Sequence, residues 1–138
     1  IDVLNAHASE NPVYYVQYAH ARIHAIGREA EKRGIERAPL DAVDLSGLVD
    51  PNELAVLRHL LELEEVLLSA ARDRAPHRIT TWVRELAANF HSFYSHCPIL
   101  RSDVDSDLQQ ARLWLVDASR VGLAIGLDLL GVEAPEQM

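Results

Sequence analysis

A chain of 138 residues, 49% of them hydrophobic, is long enough to bury a sizeable core within one domain. Its single cysteine excludes an internal disulfide framework and fits a reducing compartment such as the cytoplasm, and no apolar run approaches the ~18 residues of a membrane span. The net charge of −8 argues against general polyanion binding, although 12 of the 13 cationic residues are arginine, the side chain best suited to a local phosphate or base contact.

Residues 1–10 read as an incoming linker, and a start at Ile1-Asp2-Val3 without an initiator methionine reads as a piece of a longer protein. Asn11 is placed as an N-cap, with Pro12 at the first helical position, where a missing N–H costs nothing. The first helix is expected to reach about Arg33, with Gly34 as its stop. Val13, Val16, His20, Ile23, Gly27 and Ala30 follow the three-four spacing of a buried stripe. A linker over 34–50 follows, pinned to the bundle through Leu40, Leu45 and Leu48.

Asp50-Pro51-Asn52-Glu53 is a capping-box start for a second helix, expected to run to about Arg74. Its stripe would be Leu54, Leu57, Leu61, Leu68 and Ala71, supported by Leu60 and Leu67. Pro76 separates it from a third helix, about Arg78 to His96, that carries Ile79, Val83, Leu86, Phe90, Phe93 and Cys97. The acidic stretch Ser102–Asp107 caps a fourth helix that ends near Leu130, before Gly131. On it, Leu108, Leu115, Gly122 and Leu129 mark one row, and Ala111, Ala118 and Ile125 its neighbour. Ala118, Gly122 and Gly126, four apart, would let another helix approach closely, and Asp117 and Arg120 would pair or reach other helices. Without any strand signal, the fold class is all-α: an antiparallel helical bundle of about four long helices.

Enzyme motifs are missing: the sequence has no Gly-rich phosphate loop, no Gly-x-Ser-x-Gly elbow and no His-Glu-x-x-His pair. His20 and His24 have metal-ligand spacing but no predictable third ligand, and His20 lies on the buried stripe as a core histidine would. His91, His96 and Cys97 match no common zinc spacing, so no metal-ligating or catalytic residue is assigned. The tyrosines carry more information, because three of the four fall within Tyr14–Tyr18. At about 100° per residue, Tyr15, Tyr18 and Arg22 lie within about 60° of one another, on the flank of the apolar stripe. Two readings follow. The tyrosines could cover a bundle edge while Arg22 pairs with an acid, or the three could form a platform for unpaired bases. Tyr94, one turn beyond Phe90, would lie at the pole where the first helix starts if the two helices pack together. A competing reading is a protein-interaction module without nucleic-acid binding, based on the acidic balance and on Trp82 and Trp114 as possible exposed anchors.

The stretch from Asn11 to Ile23 resembles the opening of the anticodon-binding domain of arginyl-tRNA synthetases. The similarity continues through Pro76-His77-Arg78, Glu85-Leu86-Ala87, the run from Phe90 to Pro98, Ala111-Arg112-Leu113, the run from Gly126 to Val132, and the ending from Glu133 to Met138. The family's bundle takes its name from an Asp-Ala-Leu-Arg sequence, whose nearest match here is Asp117-Ala118-Ser119-Arg120; Gln137 stands where the family usually has arginine. The resemblance implies a single anticodon-binding domain over 1–138 that contributes to an arginine–tRNA ligase. That enzyme is a class I aminoacyl-tRNA synthetase of protein biosynthesis, using ATP with Mg, cytoplasmic and monomeric. It implies no cofactor in this domain, and an adenylation site on a separate Rossmann-type catalytic domain whose His-Ile-Gly-His-like motif and Lys-rich loop do not occur in this sequence. The implied partners are the anticodon loop of arginine tRNA and the enzyme's own catalytic domain. The matching contact positions are Tyr15, Tyr18, Arg22, Tyr94 and Met138, with Asn89 and His91 as neighbours.

Overall fold

In the computed structural model, residues 11–138 are described, and the linker expected over 1–10 lies outside them. The expected caps open and close the first helix, α1 (Pro12–Lys32). Asn11 Oδ1 accepts from the amide of Val13 at 3.0 Å. At the other end Gly34 adopts φ +69°, and the amides of Gly34 and Ile35 close on the carbonyls of Glu31 and Ala30. The buried face of α1 is wider than the expected stripe: Val16, Ala19, His20, Ala21, Ile23, Ile26 and Ala30 are inside, whereas Val13 and Gly27 are half-buried. Two short 3-10 turns, Leu40–Ala42 and Leu45–Gly47, occupy the linker. Leu48 is buried there, but Leu40 and Leu45 are largely exposed.

The expected second helix is two helices, α2 (Pro51–Leu61) and α3 (Leu63–Arg72), broken at Glu62. The cause lies on another element. Trp82 Nε1–H donates to the His59 carbonyl at 2.9 Å, while His59 Nε2–H donates to the Trp82 carbonyl at 2.7 Å. The amide of Glu62 then closes a tight turn on that same His59 oxygen, so a side chain has entered the helix ladder. The expected stripe fails on both sides of the break. Leu61 is 83% and Leu68 59% exposed, against the expected stripe, and Glu53, Val56, His59 and Ala70 are the buried residues of the two helices.

The remaining helices are α4 (His77–His96) and α5 (Ser106–Leu129), the latter capped by Asp105. α4 is central and packs on α1, α2, α3 and α5. Gly122 and Gly126 permit the α4–α5 approach: a Cβ on Gly122 would stand 2.8 Å from Leu86 Cδ2, and one on Gly126 2.8 Å from Val83 Cβ. Ala118, the third member of that row, is exposed, as are Ile125 and Leu129. Asp117 pairs with Arg37 of the linker at 2.7 Å rather than with Arg120.

Successive long elements alternate in direction. Pairings such as Asn52 with Ser92 and His59 with Trp82 set α2 against α4, and Arg112 with Pro98 sets α5 against α4. α1 runs opposite to α5, so α1 and α4 run in the same sense. One buried junction ties the start of α2 to α5. Glu53 completes the capping box by accepting from the Asp50 amide and pairs through its other oxygen with Arg112 Nε at 2.6 Å. No helix among the described residues is long and apolar enough to cross a membrane.

Candidate nucleic-acid interface

The flank of α1 that carries Tyr15, Tyr18 and Arg22 meets the last turns of α4. The His91 ring sits between the two tyrosines, with centroids 5.0 Å from Tyr15 and 5.8 Å from Tyr18, inside the range of favourable aromatic contact. Phe90 backs His91 at 5.7 Å and stacks on Tyr94 at 6.3 Å. Arg22 lies over the Tyr94 ring at 4.7 Å and over Tyr18 at 5.5 Å. The result is a continuous ridge from Tyr15 to Tyr94. Tyr94 reaches it at Arg22, well along α1 rather than at its start, because the two helices run in the same sense.

Arg22 separates three hollows. One, of about 420 Å³, is lined by Tyr14, Tyr15, Tyr18, Arg22 and His91. A second, of about 370 Å³, is walled by Tyr18, Arg22 and Arg28 on α1 and by Gln137 and Met138. The third, of about 540 Å³, runs from Arg22 past Tyr94 to Arg33 and Arg101. The two other arginines of the third hollow are neutralised, Arg33 by Glu29 at 2.8 Å and Arg101 by Asp103 at 2.6 Å. Among the described residues no carboxylate forms an ion pair with Arg22. Its planar cation rests on two aromatic faces instead, which is contrary to the reading in which it pairs with an acid.

Two of the rings in the ridge are shifted toward their uncharged forms. Burial pushes the Tyr15 phenol above its ordinary range, and burial, followed by the Arg22 charge, pushes His91 below the usual imidazole value. His91 Nε2 is buried without a hydrogen-bond partner among the described residues, so ring contacts, rather than hydrogen bonds at that atom, hold the imidazole. The ridge therefore offers aromatic faces around one fixed positive charge, a combination suited to stacking an unpaired base and steering its phosphate.

Met138 reaches this site through the segment after α5. Gly131, at φ +69°, and Val132 donate to the carbonyls of Asp128 and Leu127, turning the chain off the helix. Val132 and Ala134 pack on the core. Three side chains of α1 then take the main-chain carbonyls in order. Gln17 Nε2–H donates to Glu133 O at 2.9 Å, His20 Nδ1–H to Pro135 O at 2.8 Å, and Arg28 Nη1–H to Glu136 O at 3.3 Å. At the ridge, Tyr18 is 41%, Tyr94 37% and Met138 55% exposed.

The structure thus brings Tyr15, Tyr18, Arg22, Tyr94 and Met138 to one surface and raises His91 from a neighbour to the centre of the ridge. Asn89, half-buried, lines none of the three hollows. Sequence reasoning missed Tyr14 as a lining residue and Gln17, His20 and Arg28 as holders of the tail. The place of His91 one residue after Phe90 and three before Tyr94 was the available signal for its role.

The other candidates fall elsewhere. His20 and His24 touch, with centroids 4.8 Å apart, but no group of three potential ligands forms among the described residues. Cys97 is buried, and its thiol is pushed up to about 12, chiefly by burial and then by its hydrogen bond to Asp50. Trp82 is buried, and Trp114 is half-buried beneath Arg37 with its indole N–H on Ala38 O, so neither is the exposed anchor that an interaction module would use.

The fold is an all-helical bundle that carries an aromatic–arginine ridge where α1 meets the end of α4. Residues 16–138 match the DALR anticodon binding domain, and the chain belongs to that family. Along its whole length it is 46% identical to an arginine–tRNA ligase of Symbiobacterium thermophilum, of which it covers 24%. Among solved structures, the Thermus thermophilus arginyl-tRNA synthetase superposes with a TM-score of 0.75 at 40% identity, over 90% of this chain and 21% of that one. A Campylobacter jejuni crystal structure assigned as an arginyl-tRNA synthetase gives a TM-score of 0.82 at 31% identity, over 99% of this chain and 29% of its own. The chain spans about a quarter of the length of the curated relatives it matches.

Proposed function

We propose that this chain is the anticodon-recognition domain of an arginine–tRNA ligase. It binds the anticodon loop of arginine tRNA and positions that tRNA for ATP-dependent arginylation, with Mg, by a catalytic domain carried elsewhere in the whole protein. The work belongs to cytoplasmic protein biosynthesis and is done by a monomer. The observation that carries this reading is the Tyr15–His91–Tyr18–Arg22–Tyr94 ridge, whose guanidinium has no carboxylate on it among the described residues and has Met138 beside it. Tyr15 and Tyr18 supply stacking faces, Arg22 meets a phosphate or a base edge, and Met138 gives an adaptable apolar contact.

The test is a titration of the whole protein with an arginine-tRNA anticodon stem-loop at fixed low salt. Tyr15→Ala and Tyr18→Ala should each weaken binding by about 1–3 kcal/mol. Unchanged affinity in both variants would remove the ridge as the binding surface.

A further inference from the structure

We propose that His20 is a positioning residue for the RNA site: its imidazole pins the tail segment to α1 so that Met138 stands beside Tyr18 and Arg22. This deepens the functional reading above and rests on it for the RNA, but not for the pin. A buried imidazole needs a polar partner, and for His20 that partner is the carbonyl of Pro135, from the other end of the chain. Since a carbonyl only accepts, Nδ1 carries the proton. Gln17 and Arg28 hold the flanking carbonyls from the same side of the helix, since positions 17, 20 and 28 fall within about 80° of each other at 100° per residue.

All three acceptors are main-chain oxygens. The pin therefore fixes the path of the backbone and is indifferent to the side chains the segment carries. Beyond Val132 no main-chain hydrogen bond ties the segment to the bundle among the described residues, so these three side chains supply its polar anchorage. Of the three, only His20 is buried, and its bond is the shortest. One helix thus does two jobs: Tyr18 and Arg22 face the ligand, and His20, on the inner side, sets where Met138 arrives.

The geometry makes the test atom-specific, because an asparagine amide can stand where Nδ1 stands, whereas a glutamine amide reaches toward Nε2. In the full-length protein that carries this domain, the Met138 methyl resonance, assigned through Met138→Leu, reports the pin without any RNA. His20→Ala and His20→Gln should shift it and weaken anticodon stem-loop binding by about three- to ten-fold, the size of one net hydrogen bond. His20→Asn should restore both readouts, and the KM for ATP should stay constant throughout. Should His20→Ala fail to fold, Gln17→Met releases the neighbouring carbonyl without touching the core and should shift the same methyl in the same direction. An unmoved Met138 methyl in both His20→Gln and Gln17→Met overturns the pin, whatever the RNA does. A moved methyl with unchanged RNA affinity, in a protein where Tyr18→Ala does weaken binding, overturns the positioning role and leaves the site intact. If Tyr18→Ala also binds normally, the RNA site itself is wrong, and the positioning role falls with it.

Discussion

Arg112 and Arg22 are the same residue type in opposite circumstances, and the contrast separates scaffold from site. Arg112 is almost fully buried and satisfied: Nε donates to Glu53 and Nη1 to the Pro98 carbonyl, both at 2.6 Å. It joins the α2 cap, the loop after α4 and the body of α5. Arg22 has no carboxylate on it among the described residues, lies across two tyrosine rings and borders three hollows. A cation held by a buried carboxylate and a main-chain carbonyl inside the protein holds the fold. A cation left on aromatic faces, with no ion pair on it among the described residues, is available to a ligand.

The largest effect is expected at the scaffold arginine. Glu53→Ala strands the Arg112 charge and removes half of the α2 capping box, so urea denaturation should show a loss of about 3–5 kcal/mol. The double variant Glu53→Met with Arg112→Met should recover much of that loss, because no charge is then left unpaired. A loss under about 1 kcal/mol for Glu53→Ala would make the junction a surface-like pair and blur the contrast.

Arg22 should behave the other way round. Arg22→Ala removes cation–π contacts worth about 0.5–1 kcal/mol at an exposed site, so the melting curve should move little. Anticodon stem-loop affinity should nevertheless fall by about 1–2 kcal/mol, with a reduced salt slope. Arg22→Lys should recover the salt slope but not the affinity, because an ammonium cannot lie flat between two rings. A full recovery by lysine would reduce Arg22 to a point charge.

These two arginines also show what was legible in the sequence. The Arg22 ridge was readable because its parts lie three and four apart on one helix, and local spacing fixes a helix face. The caps were readable for the same reason: Asn11, the Asp50–Glu53 box, Gly34 and Gly131 act within a turn of themselves. The Glu53–Arg112 pair was not readable beyond the cap, because its second half lies 59 residues away. The break at Glu62 depends on the indole of Trp82 reaching a backbone oxygen of His59, and that acceptor has no side-chain signature. The tail was hidden in the same way, since Gln17, His20 and Arg28 all bind carbonyls that any sequence would offer. Tertiary contacts between a side chain and a distant backbone are where spacing rules lose their reach.

The smallest effect expected is on pH dependence, and it falls on the ridge side. His91 is held below the ordinary imidazole value of 6.5, first by burial and then by Arg22; His24 is lowered too, first by burial and then by His20. A histidine whose folded pKa is depressed binds fewer protons folded than unfolded, so stability rises with pH wherever the two states differ. The contribution is complete above about pH 6.5, shrinks as pH falls below that unfolded value, and stops changing once the folded pKa is passed. The faces toward His91 from α1 are Tyr15, Tyr18 and Arg22, and on its own helix Phe90; only Arg22 is charged, and it opposes the imidazolium. Because both rings are only partly buried, solvent screening keeps the slope shallow. Chemical denaturation from pH 8 down to pH 5 should therefore show a modest loss of stability that begins below about 6.5. His91→Gln should flatten part of that slope, and Arg22→Ala should make the total loss smaller without moving its onset, because removing the opposing charge raises the folded His91 pKa toward the unfolded value. A slope unchanged by both substitutions would mean that the ridge does not hold His91 neutral.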